Sequence, residues 1–371
     1  MIPIRRTLAV LACCLSLVAC GSPDAPERRA ETVRVFNWSD YIAADTLARF
    51  SAETGLRTVY DVFDSQEVLE ARLLSGASGY DVVVPSSDAI ARQIGAEAFQ
   101  PLQRERLSNY VNLDPELLGF LETVDPGNAY GVPYLWGTTG IGVNVAMLEA
   151  RFPEGAPADS LDLLFVPENI ERLADCGVAL LDSAAEVFPL VLNYLGLEPN
   201  SAEPADYQGP VRDAFMAIRP HIRYFHSSQY INDLANGEIC VALGWSGDIL
   251  QAADRAAEAG RGVEIEYAVP AEGSSVWFDL LAIPRDAGNV EGAHAFIDFL
   301  LRPEVIAEVS NTVFYANPNL PATALLAPEV REHPGIYPPP EVRARLFAVE
   351  AREPALDRVM TRVWTEIKTR R

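Results

Sequence analysis

Hydroxyl, carboxylate and aromatic side chains gather where five predicted strands end or turn. After Arg34–Asn37 come Trp38, Ser39, Asp40 and Tyr41. After Tyr80–Val84 come Ser86, Ser87 and Asp88. Asp182 follows Val178–Leu181, with Glu186 one helical turn on. Trp245, Ser246 and Asp248 follow Cys240–Gly244. Trp277, Phe278 and Asp279 lie within Val276–Ile283, and a later apolar segment closes on Phe314 and Tyr315. No arginine or histidine belongs to the set. Such a group suits a cation. Ammonium groups donate charge-assisted hydrogen bonds to Asp or Glu, and they favour the face of Trp or Tyr by roughly 0.5–2 kcal/mol. Flat apolar walls with acids at both ends describe a box for a diamine or polyamine. Each residue alone also has a plainer reading. An Asp after a strand often caps the next helix, and a Trp in an apolar run is more often core than ligand wall. Asp248 and Asp279 could also flank a glycosidic bond, which keeps sugar cleavage as an enzyme alternative.

Other chemistries find little support. His221, His226, His294 and His333 show no metal-binding spacing, and neither Cys176 nor Cys240 has His or Cys neighbours at such spacing. Gly140-Ile141-Gly142 lacks the third glycine of a dinucleotide turn. Gly244-Trp245-Ser246-Gly247 stops one residue short of a nucleophile elbow. The single lysine, Lys368, stands near the C-terminus, an implausible place for a Schiff base or a phosphate-binding lysine. Neither metal nor cofactor is expected. The 371 residues carry 52 Asp and Glu against 29 Lys and Arg, a net charge of −23. That balance argues against nucleic-acid binding, which needs a basic face, and favours attraction of cations.

The elements that must position these residues alternate in period. Two short strands, 34–37 and 58–63, and a third at 80–84 are separated by apolar helical stripes, one containing Leu47 and Phe50, the other Val68, Leu69, Leu73 and Leu74. This βαβαβ order predicts an α/β fold. Ligands of such sheets bind beyond the carboxyl ends of the strands. Further helices are expected near 291–301, 303–309 and 340–349, and a connecting loop over 153–167.

The N-terminus reads as an export signal. Arg5 and Arg6 precede a short apolar run that ends in Leu17-Val18-Ala19-Cys20. That ending is similar to a bacterial lipobox, with residues 1–19 removed, Cys20 acylated and residues 20–31 serving as a tether to a membrane surface. In an exported chain Cys176 and Cys240 most often pair; two buried free thiols are the other possibility.

Four stretches carry a family resemblance: Phe36 to Ile42 (FNWSDYI), Val84-Pro85-Ser86, Thr138 to Asn144 (TTGIGVN) and Tyr224 to Tyr230 (YFHSSQY). They resemble periplasmic polyamine-binding proteins, the receptors of spermidine/putrescine ABC importers. The resemblance runs from about residue 33 to 367 and is strongest to the putrescine-binding branch. It implies two α/β lobes with mostly parallel sheets, a hinge and a ligand cleft between them. Lobe 1 is expected at 32–136 plus 258–314, and lobe 2 at 137–257 plus 315–371. The resemblance assigns Trp38, Tyr41, Trp245, Trp277 and Tyr315 to an aromatic box. It assigns Ser39 and Ser86 as oxygen donors to an ammonium group, and Glu186, Asp248 and Asp279 as amine partners with Asp40 nearby. The Cys176–Cys240 pair is similar to a disulfide of that branch. Asp88 and Ala89 stand where the putrescine branch carries Ser and an aromatic, and the extra acid with its smaller neighbour could admit a third amine. Trp277 matches the spermidine branch, while Val349 stands where that branch carries Gln. Expected partners are a polyamine, with putrescine favoured over spermidine, the permease subunits and a membrane surface. The protein is expected to be a periplasmic monomer without catalysis; a polyamine sensor is the remaining alternative.

Overall fold

The computed structural model describes residues 31–369. The signal segment, Cys20 and all of the tether except Glu31 lie outside the described residues. Among the described residues ten strands form the sheet system: β1 (Thr32–Trp38), β2 (Arg57–Phe63), β3 (Val82–Val83), β4 (Gly131–Asn144), β5 (Val178–Leu180), β6 (Tyr224–Phe225), β7 (Val241–Trp245), β8 (Ile265–Ala268), β9 (Ser274–Ala282) and β10 (Leu346–Ala348). The helices that bear on the site are α1 (Gln66–Leu74), α2 (Ser87–Gly95), α3 (Ala184–Tyr194), α4 (Gln229–Ala235), α5 (Ser246–Ala259), α6 (Val290–Leu300), α7 (Pro303–Val313) and α8 (Pro354–Thr369). Among the described residues no helix is long and apolar enough to cross a membrane.

Strand order divides the molecule into two lobes. In the first, β2, β1 and β3 run parallel, and β9 joins them antiparallel to β3. In the second, β6, β5 and β7 run parallel. The strand β4 belongs to both. Its Gly131–Thr138 half pairs antiparallel with β9, and its Thr139–Val143 half pairs antiparallel with β7. The expected parallel strands are present in both lobes, and β4 adds an antiparallel element that crosses between them. Sequence reading missed this strand, because Pro133 and the glycines at 137, 140 and 142 argue against one. The structure gives those glycines a purpose. A Cβ at Gly137 would lie 2.8 Å from the Trp277 indole, one at Gly140 would meet the Ala268 carbonyl at 2.4 Å, and one at Gly142 would strike Ile249 at 2.7 Å.

The cores follow from alternation. In the first lobe Val82 and Val84 face one buried cluster, with Val33, Val35 and Phe296 of α6, while Val83 faces a second cluster with Phe36, Phe63 and Phe278. Burial on both faces explains the unbroken β-branched run at 82–84. The second lobe has one core that takes in β5, β7 and the apolar stripe of α8. Two expected boundaries shift. Ile265, expected in lobe 1, packs in the second core, because β8 pairs with β4 beyond the crossing. Ala316 to Ile336, expected in lobe 2, pack in the first core. The chain enters the second lobe again only after β10, which pairs with β9. The helix expected over 340–349 is one turn, Pro340–Arg343, followed by that strand. The segment 153–167 contains a short helix, Asp162–Phe165. Cys176 and Cys240 are buried and joined as a disulfide with Cα atoms 5.5 Å apart.

Candidate functional site

Side chains converge between the lobes by three local routes. Strand ends supply Trp38, with Ser39 and Tyr41 just beyond β1, Ser86 beyond β3, and Trp245 as the last residue of β7. First helical turns supply acids: Glu186 is the third residue of α3 and Asp248 the third of α5. Helical Cα–Cβ bonds tilt toward the N-terminus, so these carboxylates lean past the helix start, where the partial positive charge of the helix favours them. Neither is a cap, because the N-cap positions belong to Ser183 and Trp245. Alternation along β9 supplies the third route. Trp277 and Asp279 lie two apart on one face, and Phe278 between them turns into the first-lobe core. Tyr315 follows α7 through Phe314, whose left-handed backbone (φ 58°) ends that helix.

These residues border a narrow cavity of about 30 Å³ lined by Trp38, Ser39, Tyr41, Ser86, Glu186, Trp245, Asp248, Trp277, Asp279 and Tyr315. Trp38 of the first lobe and Trp245 of the second meet edge to face with centroids 5.6 Å apart. Tyr41 and Trp277 each lie edge-on to Tyr315, at 5.0 and 5.4 Å.

Phenols hold the acids. The Tyr41 hydroxyl donates to Asp279 Oδ2 at 2.7 Å. Asp248 accepts from Tyr315 at Oδ1, 2.7 Å, and from Tyr230 of α4 at Oδ2, 2.8 Å. Thr139, at the β4 crossing, donates to Glu186 Oε2 at 3.3 Å. Burial pushes the Asp248 carboxyl up to about 7, against the two phenol bonds that lower it. Burial, with the charge of Asp88, raises Glu186 to about 8. Asp279 is raised well above the usual carboxylate range, first by burial, although the Tyr41 bond opposes it. The charges acting on the acids separate them. Glu186 and Asp88 act on Asp279, whereas Asp40 and Arg255 act on Asp248. A buried acid of raised pKa is stabilised in its ionised form by an incoming cation.

Two expected ligand residues do not line this cavity. Asp40 takes a left-handed backbone (φ 54°), and its Oδ1 accepts from Arg255 of α5 at 2.7 Å, an ion pair between the lobes. Asp88 borders a smaller neighbouring cavity. Its Oδ1 accepts from Ser86 Oγ at 2.5 Å, and its Oδ2 lies 3.9 Å from Arg352. The expectation of a crevice without basic groups is thus corrected. No basic side chain lines the main cavity among the described residues, but Arg352 stands behind Asp88 and Arg255 beside Asp40. Asp182, another acid at a strand end, is taken up by Lys368 (2.6 and 2.9 Å) and the Trp364 indole (2.8 Å). Sequence reading gave no role to Thr139 or Tyr230, although both fall inside the quoted TTGIGVN and YFHSSQY stretches. Nothing in the sequence places them beside Glu186 and Asp248, because that adjacency comes from β4–β7 pairing and from α4 lying against β7.

Comparison with known proteins follows the same outline. Residues 45–338 match the family described as bacterial extracellular solute-binding protein. The putrescine-binding periplasmic protein PotF of Escherichia coli is 53% identical over 96% of this chain and 95% of its own. The putrescine-binding periplasmic protein SpuD of Pseudomonas aeruginosa is 49% identical over 96% of this chain and 97% of its own. A solved putative spermidine/putrescine ABC transporter from Listeria monocytogenes superposes with a TM-score of 0.81 at 32% identity, covering 92% of this chain and 100% of that one. Two lobes bridged by β4 and a cavity between them, in a chain matched along nearly its whole length, make this protein a member of the bacterial extracellular solute-binding protein family.

Proposed function

We propose that this chain captures a polyamine, putrescine before spermidine, in the interlobe cavity and delivers it to the permease of an ABC importer without chemical change. One observation carries the reading. Three carboxylates, the buried Asp248 and Asp279 and the half-buried Glu186, share a cavity with five aromatic rings and, among the described residues, no basic side chain. An ammonium group there finds acids to pair with and ring faces to rest on, and closure of the lobes around it removes water and strengthens each contact. The names of the Escherichia coli and Pseudomonas aeruginosa relatives, both putrescine-binding, support the ligand class. The finer reading is a periplasmic monomer held to a membrane through acylated Cys20, which rests on the Leu17-Val18-Ala19-Cys20 sequence.

Calorimetry with putrescine, spermidine, amino acids and sugars tests the ligand class. Asp248→Asn and Asp279→Asn should each weaken diamine binding by about 2–5 kcal/mol, mostly because a buried ammonium loses its partner. Wild-type affinity in both variants, or no response to any amine, overturns the assignment. Mass spectrometry of protein extracted from membranes should find Cys20 acylated as the first residue, and an unmodified N-terminus removes the anchor.

A further inference from the structure

We propose that Arg352 acts as a built-in third cation, occupying Asp88 and so limiting this site to ligands with two ammonium groups. The inference rests on the polyamine reading above. Asp88 borders a cavity of about 10 Å³, room for one small polar group, that shares Trp38, Ser86, Glu186 and Trp245 with the main one. That second space continues the ligand cavity past Glu186. Its acids and hydroxyls alone would suit a further ammonium group, with Asp88 and Glu186 as its partners.

Arg352 answers Asp88 from within the protein. Its side chain is only 9% exposed, and its guanidinium lies 3.9 Å from Asp88 Oδ2. The other Asp88 oxygen accepts from Ser86, so both are engaged. An arginine stays charged at any pH the protein meets. Its field reaches the ligand cavity as well, acting on Glu186 in the sense opposite to Asp88. A third ammonium group entering here would meet a fixed cation beside the acid that should receive it.

The arginine is held in place. Its Nε lies 3.5 Å from Asp357 in the first turn of α8. Asp357 also lies 3.5 Å from Arg92 of α2, and Arg92 makes a two-pronged contact with Glu70 of α1 at 2.5 and 3.0 Å. The result is an alternating row of charges, Glu70–Arg92–Asp357–Arg352–Asp88, with its first two and last members on the first lobe and the middle two on the second. Swinging Arg352 away would leave Asp88, whose side chain is only 12% exposed, without that cation, and Asp357 with Arg92 alone.

The test is calorimetry with putrescine and spermidine on the full mature chain as wild type, Arg352→Gln, Asp88→Ser and the double variant. Arg352→Gln should raise the spermidine-to-putrescine affinity ratio at least tenfold while putrescine affinity stays within about threefold. Adding Asp88→Ser to it should return the ratio to near wild type, because the freed acid is what the third ammonium would use. Should Arg352→Gln fail to fold, Arg352→Met keeps the buried stem and is read the same way. A folded Arg352 variant that binds putrescine with an unchanged ratio overturns the inference and leaves the polyamine reading standing. Wild-type protein that binds neither amine overturns the polyamine reading itself.

Discussion

The Tyr315 hydroxyl donates to Asp248 Oδ1 at 2.7 Å, while the Asp248 backbone N–H donates to the same phenol oxygen at 3.1 Å. The ring also lies edge-on to Tyr41 and Trp277. One residue thus holds an acid and builds an aromatic wall. Tyr315→Phe keeps the wall and removes the donor. A hydrogen bond to a charged group contributes roughly 1.5–3 kcal/mol, so diamine affinity at pH 7 should fall at least tenfold. The Asp248 carboxyl should climb above its present value near 7, and part of the loss should return at pH 9. Calorimetry at the two pH values separates the effects. An equal loss at both would assign the role of Tyr315 to ring contact instead.

Protons should compete with the ligand. Burial raises Asp248 to about 7, so the free folded protein holds that proton more tightly than the unfolded chain does. Asp248 therefore contributes stability that is full below pH 4 and is lost as pH rises through 7. A dication requires the opposite, an ionised carboxylate. Melting temperature of the free protein should fall between pH 5 and 8, while the added stabilisation by putrescine should grow over the same interval. Below pH 7 binding should release protons, seen as a dependence of calorimetric heat on the ionisation enthalpy of the buffer. Heats that are independent of buffer at pH 6 would show that the acids are already ionised in the free cavity.

Much of the site was legible because the fold places its ligand groups at strand ends, and strand ends are marked in a sequence by a change of residue type. Trp38, Ser86 and Trp245 stand out that way, Glu186 one helical turn beyond a strand end and Asp279 inside a strand beside Trp277, and all five line the cavity. Asp40 looked the same by position, but a left-handed backbone and Arg255 direct it to the lobe interface, a choice set by a residue more than two hundred positions away. Arg352 was invisible for the same reason: it stands in an unremarkable loop and reaches Asp88 only through the return of the chain along β10. The crossing strand β4 was missed because its glycines answer to partners, Trp277, Tyr267 and Ile249, that local pattern does not reveal.

Gly247 makes that dependence testable. A Cβ there would lie 2.5 Å from Cδ2 and Cε2 of Tyr315, so the ring rests directly on the second residue of α5. Alanine is the better helix former by about 1 kcal/mol, yet overpacking a core costs typically 1–3 kcal/mol. Gly247→Ala should lower stability by about 1–2 kcal/mol and weaken putrescine, because the displaced ring releases its bond to Asp248. Gly119→Ala is the control, since nothing lies within 4 Å of the added methyl; it should be neutral or mildly stabilising with unchanged affinity. Chemical denaturation and calorimetry on both variants decide the matter. Equal behaviour of the two would show that the Tyr315 ring shifts at no cost.

The Cys176–Cys240 bridge joins residues 64 apart in sequence. Closing a loop of that length stabilises by about 4 kcal/mol in the chain-entropy account, mainly by restricting the unfolded chain. Cys240 directly precedes β7, the strand that ends in Trp245 and leads to Asp248, so the bridge fastens the cavity strand at the end away from the ligand. Its contribution should therefore fall on stability and not on recognition. Cys176→Ser/Cys240→Ser should melt well below the wild type, and reductant should lower the wild-type melt toward the variant. The folded variant should bind putrescine within about threefold of wild type, since neither cysteine lines the cavity. A large affinity loss in variant protein shown to be folded would mean that the bridge sets the register of β7 against β4, where Thr139 lies opposite Trp245.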